Sequence, residues 1–402
     1  AGRAGSGMTR GWVPRLTSGG WSPGGHPVAF RFVHITLSQG RKVGMSGRRW
    51  AERLRPWLKV IAPVSGDGMT TQLQLCSKRA LARRLRWWDR GVVRERALAA
   101  LAGLAIGDAL GMPTEGLSPA EIEPVTGFAA ARGLPAGGVT DDTQQAVIVA
   151  RLLVSGGGRI DPHGLADALL EWERDLRSRG IRGLLGPSTR AALTAVAAGE
   201  ALEKAGKYGT TNGAAMRIAP VGIANPADLD LLVDSVVEAS WVTHNTGVAL
   251  AGAAAVAAAV SAGVDGASLP EAIDFAVEAA ERAAKRGNWV AAGDVAARIR
   301  WSRTMDPADV PALIGTSVAT QESVPAAFAV LRHAENPWQA CCTAASLGGD
   351  TDTIAAIAGA IAGACTGAGA FPEEAVRTVT EVNDLPLPEL ADDLLKLRAR
   401  TR

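Results

Sequence analysis

Two stretches of this chain carry a small residue at every fourth position: Ala99, Gly103, Gly107 and Gly111 in one, and Ala355, Gly359, Gly363 and Gly367 in the other. Residues four apart share a helix face. Each series therefore predicts a smooth ridge on which a second helix lies closer than larger side chains allow. Ala251, Ala255 and Ala259 repeat the device in mid-chain. No run of alternating Val, Ile and Thr argues for a sheet. The reading is all-α: one compact domain of about ten or more helices, built on close small-residue contacts.

Thr246 to Val264 is 19 residues without a charge, enough by length to raise a membrane span. It is mainly Ala and Gly with a few Val and Leu, far less apolar than a spanning helix. A buried central helix is the better reading, and no membrane is expected as a partner.

The net charge of +2 hides two different polymers. Residues 1–93 hold 17 Lys and Arg against 3 Asp and Glu, a balance of +14, and the remainder carries −12. The basic part also holds six of the 11 Trp, in stretches such as Arg48-Arg49-Trp50, and is broken by Gly and Pro without a sustained period. Residues 1–93 are therefore read as a basic extension, mostly disordered, ahead of a helical domain at 94–402. A basic helix over residues 71–90 is the one exception. Three origins stand for the extension. It is an arm for nucleic acid or membrane, since Arg with interleaved Trp suits phosphate binding and base stacking. It is an Arg-rich targeting peptide. Or it is upstream sequence without selected structure, Met8, Met45 or Met69 being the true start. Nucleic acid is a partner only in the first case.

The four cysteines form no disulfide pattern. Cys341 and Cys342 are adjacent, Cys76 and Cys365 stand alone, and there is no CxxC pair. This points to a reducing, cytoplasmic location and away from zinc knuckles. GxSxG, HExxH and P-loop motifs are absent, which removes the hydrolase and nucleotide-binding classes built on them.

Two short segments carry the chemistry: Gly137-Gly138-Val139-Thr140-Asp141-Asp142-Thr143 and Gly348-Gly349-Asp350-Thr351-Asp352-Thr353. Each follows a double glycine and opens an apolar helix. Asp and Thr at such positions ordinarily cap helices and suit the dipole. A cap needs one such residue, whereas each start here holds two carboxylates with flanking hydroxyls. Were the fold to join the two starts, Asp141, Asp142, Asp350 and Asp352 would bring four negative charges, and Thr140 and Thr353 neutral oxygens. Carboxylates this close repel or take up protons. Two divalent cations about 3.5–4 Å apart would balance them. An all-oxygen donor set selects Mg²⁺, or Mn²⁺, over Zn²⁺.

At these residues, and over roughly 94–390, the chain resembles the ADP-ribosylglycohydrolases, the family of the enzyme that removes ADP-ribose from dinitrogenase reductase. Five motifs carry the resemblance in order: Gly107-Asp108-Ala109-Leu110-Gly111 with Pro113 and Glu115; Thr140 to Thr143; Asn212-Gly213-Ala214-Ala215-Met216-Arg217; Thr243-His244; and Leu347 to Thr353. The resemblance implies an all-α fold with two Mg²⁺ ions held by Thr140, Asp141, Asp142, Asp350, Asp352 and Thr353. It implies cleavage of the bond between C1″ of the distal ribose of ADP-ribose and an acceptor, a protein side chain or small molecule. Glu115 would be the acid/base carboxylate. Asn212 and Gly213 would offer donors to the diphosphate, Met216 would line the pocket, and His244 would touch the ribose.

Plainer readings stand beside these. Glu115 alone is a solvated loop residue, Asn212-Gly213 a turn, His244 a core or helix-start histidine, and Asp108 a hydrogen-bonding partner of a neighbouring helix end. The chain departs from the family's usual pattern at Gln145, where Met is frequent, and at Thr366, where Tyr is frequent. With Tyr208 the only tyrosine, adenine stacking falls to Tyr208, Phe128 or a Trp. A second reading of the whole is a non-catalytic ADP-ribose-binding or structural protein of the same fold.

Overall fold

The computed structural model describes the backbone of residues 70–181 and 184–401, with side chains from Gly91 onward. Among the described residues, helices of eight residues or more run in this order: α1 (Thr70–Gly111), α2 (Asp141–Ser155), α3 (Pro162–Ser178), α4 (Pro187–Ala197), α5 (Leu229–Ser240), α6 (Gly247–Val264), α7 (Leu269–Ala283), α8 (Val295–Ser302), α9 (Thr320–His333), α10 (Pro337–Ala345), α11 (Thr351–Thr366), α12 (Glu373–Val382) and α13 (Leu387–Thr401). No strand forms among them, and extended pairing is limited to isolated bridges. The helix expected over 71–90 is present as the first half of α1, and Val93, where the charge changes sign, falls inside that helix. The rest of the basic extension, with its three candidate start methionines, lies outside the described residues.

Ordinary signals set the helix starts. The side chains of Asp161, Asp228, Asp294 and Asn336 each accept first-turn N–H groups, and Ser268 with Glu271 makes a capping box that satisfies two orphan donors at once. The uncharged stretch is α6, and all 18 of its residues are buried. Helices α5, α7, α9 and α11 and the short helices Gly213–Met216 and Ala219–Ala224 surround it. Its Ala-rich surface is what lets so many neighbours approach one helix.

The two small-residue ridges meet antiparallel. Gly103 faces Gly359, Gly107 faces Ala355, Gly111 faces Thr351, and Ala99 faces Gly363. The contact is backbone on backbone: a Cβ added to Gly107 would lie 2.0 Å from the Ala355 carbonyl oxygen. This register fixes where the chemistry sits. The end of α1 is carried to the start of α11, so the loop after Gly111 is laid beside Asp350 and Asp352. Thr114 Oγ1 bonds the Ala345 carbonyl at 2.7 Å, Thr351 Oγ1 bonds the Gly111 carbonyl at 2.9 Å, and Gly116 N bonds the Gly349 carbonyl at 2.8 Å. These bonds pin the Glu115 loop to the turn that opens α11.

Candidate active site

Thr140 is the N-cap of α2, its hydroxyl accepting from Asp142 N at 3.4 Å, and Asp141 and Asp142 fill the first turn. Asp108 of α1 holds this start from outside. Its Oδ1 accepts from Thr140 N at 3.0 Å, and its Oδ2 accepts from Thr143 N at 3.0 Å and Thr143 Oγ1 at 2.6 Å. Hydrogen bonds to a charged group contribute about 1.5–3 kcal/mol each. Together they offset part of the several kcal/mol that burying a carboxylate costs. Asp108 thus clamps a neighbouring helix end, as its plain reading expects.

At α11 the capping reading fails. Asp350 occupies the N-cap position, but its side chain makes no capping bond. Its Oδ2 accepts from Asn212 Nδ2, which also donates to Ser323 Oγ at 2.9 Å. Gly348 and Gly349 turn the chain into this position at φ +79° and +77°, a backbone that suits glycine and strains other residues.

The two helix starts come together. Thr353 Oγ1 donates to Asp142 Oδ2 at 3.3 Å, and Thr140 Oγ1 lies 3.5 Å from Oδ2 of both Asp142 and Asp352. Asp141, Asp142, Asp350 and Asp352 are all buried. Ligand atoms from Glu115, Asp350 and Asp352 lie within 4.8 Å of one another.

So much buried negative charge disfavours ionisation. Burial, then the charge on Asp352, pushes Asp350 up to about 7. The same two causes push Asp108 up to about 7 and raise Asp141 and Asp142 well above the usual carboxylate range. Burial raises Asp352 too, against a bond from Thr353 N and the nearby charge of Arg132. The two helix N-termini favour the anionic forms but leave the cluster short of positive charge. Asp142 Oδ1 is buried without a hydrogen-bond partner. An orphaned anionic oxygen in an all-oxygen cluster fits a hard cation, and the residues present suit one.

Glu115 follows the short helix Met112–Thr114 and forms an ion pair with Arg132. Arg132 and Gly133, at φ +54° and +80°, make a two-residue turn closed by Ala131 and Leu134, which exchange N–H···O bonds of 3.2 and 2.8 Å. Paired positive φ values define the tight hairpin turn that presents the guanidinium to the carboxylate. Arg132 escaped the sequence reading because a lone Arg among Ala and Gly belongs to no period or motif.

The Asn212 loop bonds Asp350. Its side-chain amide is engaged with Asp350 and Ser323, so this side chain orients a carboxylate of the cluster, where a diphosphate donor was expected. Gly213 packs on His244: a Cβ there would come within 2.9 Å of His244 Cε1. Met216 is buried in the same short helix. His244 is fully enclosed, with Nδ1 2.8 Å from Thr243 Oγ1 and Nε2 3.1 Å from Thr211 Oγ1. Burial, then the Arg217 charge, keeps it well below the usual histidine range and hence neutral. It supports the loop from behind.

Comparison with known proteins identifies the chain's relatives. A family model for ADP-ribosylglycohydrolase matches residues 89–402. The uncharacterized protein YegU of Escherichia coli is 33% identical over 328 residues, spanning 76% of this chain and 97% of its own. An ADP-ribosylarginine hydrolase of Pseudomonas putida is 31% identical over 293 residues, spanning 71% of this chain and 74% of its own. A solved ADP-ribosylglycohydrolase-related protein complex superposes with a TM-score of 0.61 at 27% identity, covering 76% of this chain and 99% of that one. With paired carboxylate starts, an adjacent loop glutamate and an Asn-Gly loop on one all-α scaffold, the chain belongs to the ADP-ribosylglycohydrolase family.

Proposed function

We propose that this protein is a Mg²⁺-dependent hydrolase that removes ADP-ribose from a modified protein side chain or small molecule by cleaving the C1″ glycosidic bond. What carries the reading is the set of buried carboxylates Asp141, Asp142, Asp350 and Asp352, with ligand atoms of Glu115, Asp350 and Asp352 within 4.8 Å of one another. Those four aspartates with Thr140 and Thr353 would hold two divalent cations, Mg²⁺ or Mn²⁺. Bound there, such ions would supply Lewis-acid stabilisation of charge that develops on substrate oxygens.

The protein's own groups do the rest. Glu115, paired with Arg132, takes a proton from water while the water oxygen bonds to C1″. The bond from C1″ to the acceptor breaks, and the acceptor receives the proton from Glu115. Asn212 holds Asp350 in place, and Gly213 keeps the loop low on His244. A cytoplasmic setting fits, since Cys341, Cys342 and Cys365 are free thiols.

Asp350→Asn or Asp352→Asn is expected to abolish release of ADP-ribose while the helices persist by circular dichroism; undiminished turnover in either variant contradicts the reading. The alternative, an ADP-ribose-binding protein without chemistry, is weakened by the presence of all five carboxylates. Calorimetric binding of ADP-ribose with no turnover of any modified acceptor would favour it.

A further inference from the structure

A chain of buried polar side chains runs away from Asp141. Gln145 Nε2 donates to Asp141 Oδ2 at 3.1 Å, and Gln145 Oε1 accepts from Arg217 Nη1 at 2.7 Å. Arg217 Nη2 donates to Thr243 Oγ1 at 2.7 Å, and the chain continues through His244 to Thr211, the neighbour of Asn212. Gln145, Arg217, Thr243 and His244 are all at 0% exposure. Asn212 bonds Asp350, so the chain joins an aspartate at the start of α2, by way of the Asn-Gly loop, to one at the start of α11.

The chemistry of the groups sets the direction of the bonds at Arg217 and Gln145. A guanidinium has donors only. Gln145 must therefore turn its carbonyl to Arg217, which leaves its amide N–H for Asp141. Thr243 Oγ1 likewise accepts from Arg217, and it lies 2.8 Å from His244 Nδ1 and 3.5 Å from the Ser240 carbonyl. An apolar residue at 145 leaves Arg217 Nη1 without its acceptor and Asp141 Oδ2 without its donor at the same time.

We infer that Gln145, oriented by Arg217, is a positioning residue that fixes the Asp141 carboxylate for metal binding, with Oδ2 committed to the amide and the other oxygen left to ligate. This rests on the reading of Asp141 as a metal ligand. It gives a role to Gln145, a fully buried side chain outside the ligand set, and to Arg217, a fully buried cation that the catalytic scheme does not use. Groups that hydrogen-bond a ligating side chain typically contribute 10–100-fold to metal affinity when removed.

The test is the affinity of the full chain for Mn²⁺ without ADP-ribose, read from free Mn²⁺ by electron paramagnetic resonance. Gln145→Met keeps length and removes both bonds, and its Kd is expected to rise about 10–100-fold. Gln144→Met is the control. It deletes a bond of the same kind on the same turn, from Trp172 Nε1 at 2.7 Å, and is expected to leave Kd within about twofold. Arg217→Lys keeps the buried charge but cannot bridge Gln145 and Thr243 together; it replaces Gln145→Met should that variant not fold, with weakening again expected. Wild-type affinity in the folded variant overturns the inference. A wild-type chain that binds no Mn²⁺ overturns the metal reading beneath it as well, so the two failures are distinguishable.

Discussion

Thr353 Oγ1 lies 3.3 Å from Asp142 Oδ2, and that bond joins two helix starts 211 residues apart in sequence. Either start alone would pass for a capped helix. Joined, they hold more buried carboxylate than the surrounding dipoles and hydroxyls satisfy, and the consequences are measurable.

Asp352 is the leading electrostatic cause of the raised values at Asp108, Asp141, Asp142 and Asp350. Asp352→Asn removes that repulsion. The metal-free variant is expected to melt above the metal-free wild type by several degrees, while its response to Mg²⁺ is largely lost. Scanning calorimetry with and without chelator reads both.

Asp108 and Asp350 titrate near 7 in the folded protein and near 3.9 when unfolded. Between these values the folded state binds more protons. Their contribution to metal-free stability is therefore full below about 4 and is lost as pH rises through about 7. Metal and protons compete for the same oxygens, so the rise in Tm on adding Mg²⁺ is expected to be small at pH 5.5 and larger at pH 8. Equal shifts at both values would contradict the carboxylate site.

Gly107 touches the Ala355 carbonyl with no room for a methyl group. Gly107→Ala forces α1 and α11 apart and is expected to cost about 1–3 kcal/mol or more. Activity should fall further than stability, because the Glu115 loop is pinned at the end of this contact. Urea denaturation and turnover measured on the same preparation compare the two losses.

Arg132 pairs with Glu115 and its charge reaches Asp352. Arg132→Ala removes a cation that opposes metal entry, so Mn²⁺ is expected to bind about three- to tenfold tighter, by the Coulomb energy of charges several ångströms apart in a partly solvated site. Turnover is expected to fall, since Glu115 loses its anchor. Tightened Mn²⁺ binding is the opposite of the change expected for Gln145→Met.

Much of the fold was legible because small residues at i+4 leave a periodic trace. Gly103, Gly107, Gly359 and Gly363 announced ridges, and the absence of charge from 246 to 264 announced the buried helix. The pairing of one ridge with the other was not written in either, since any smooth ridge accepts any other. The site follows the same division. Double Asp after double Gly marked the two starts, whereas the bond from Asn212 to Asp350 and the enclosure of His244 depend on contacts between distant segments. Arg217 sat inside a recognised motif without an evident task, because its partners Gln145 and Thr243 are distant in sequence.

The central claim is tested most directly by release of free ADP-ribose from a panel of arginine-, serine- and nucleic-acid-linked substrates, followed with Mg²⁺ and then with excess chelator. The account predicts cleavage of at least one linkage in Mg²⁺, arrest by chelator, and recovery when Mg²⁺ is restored. Folded protein that cleaves none of them, or that cleaves equally well in chelator, would contradict it.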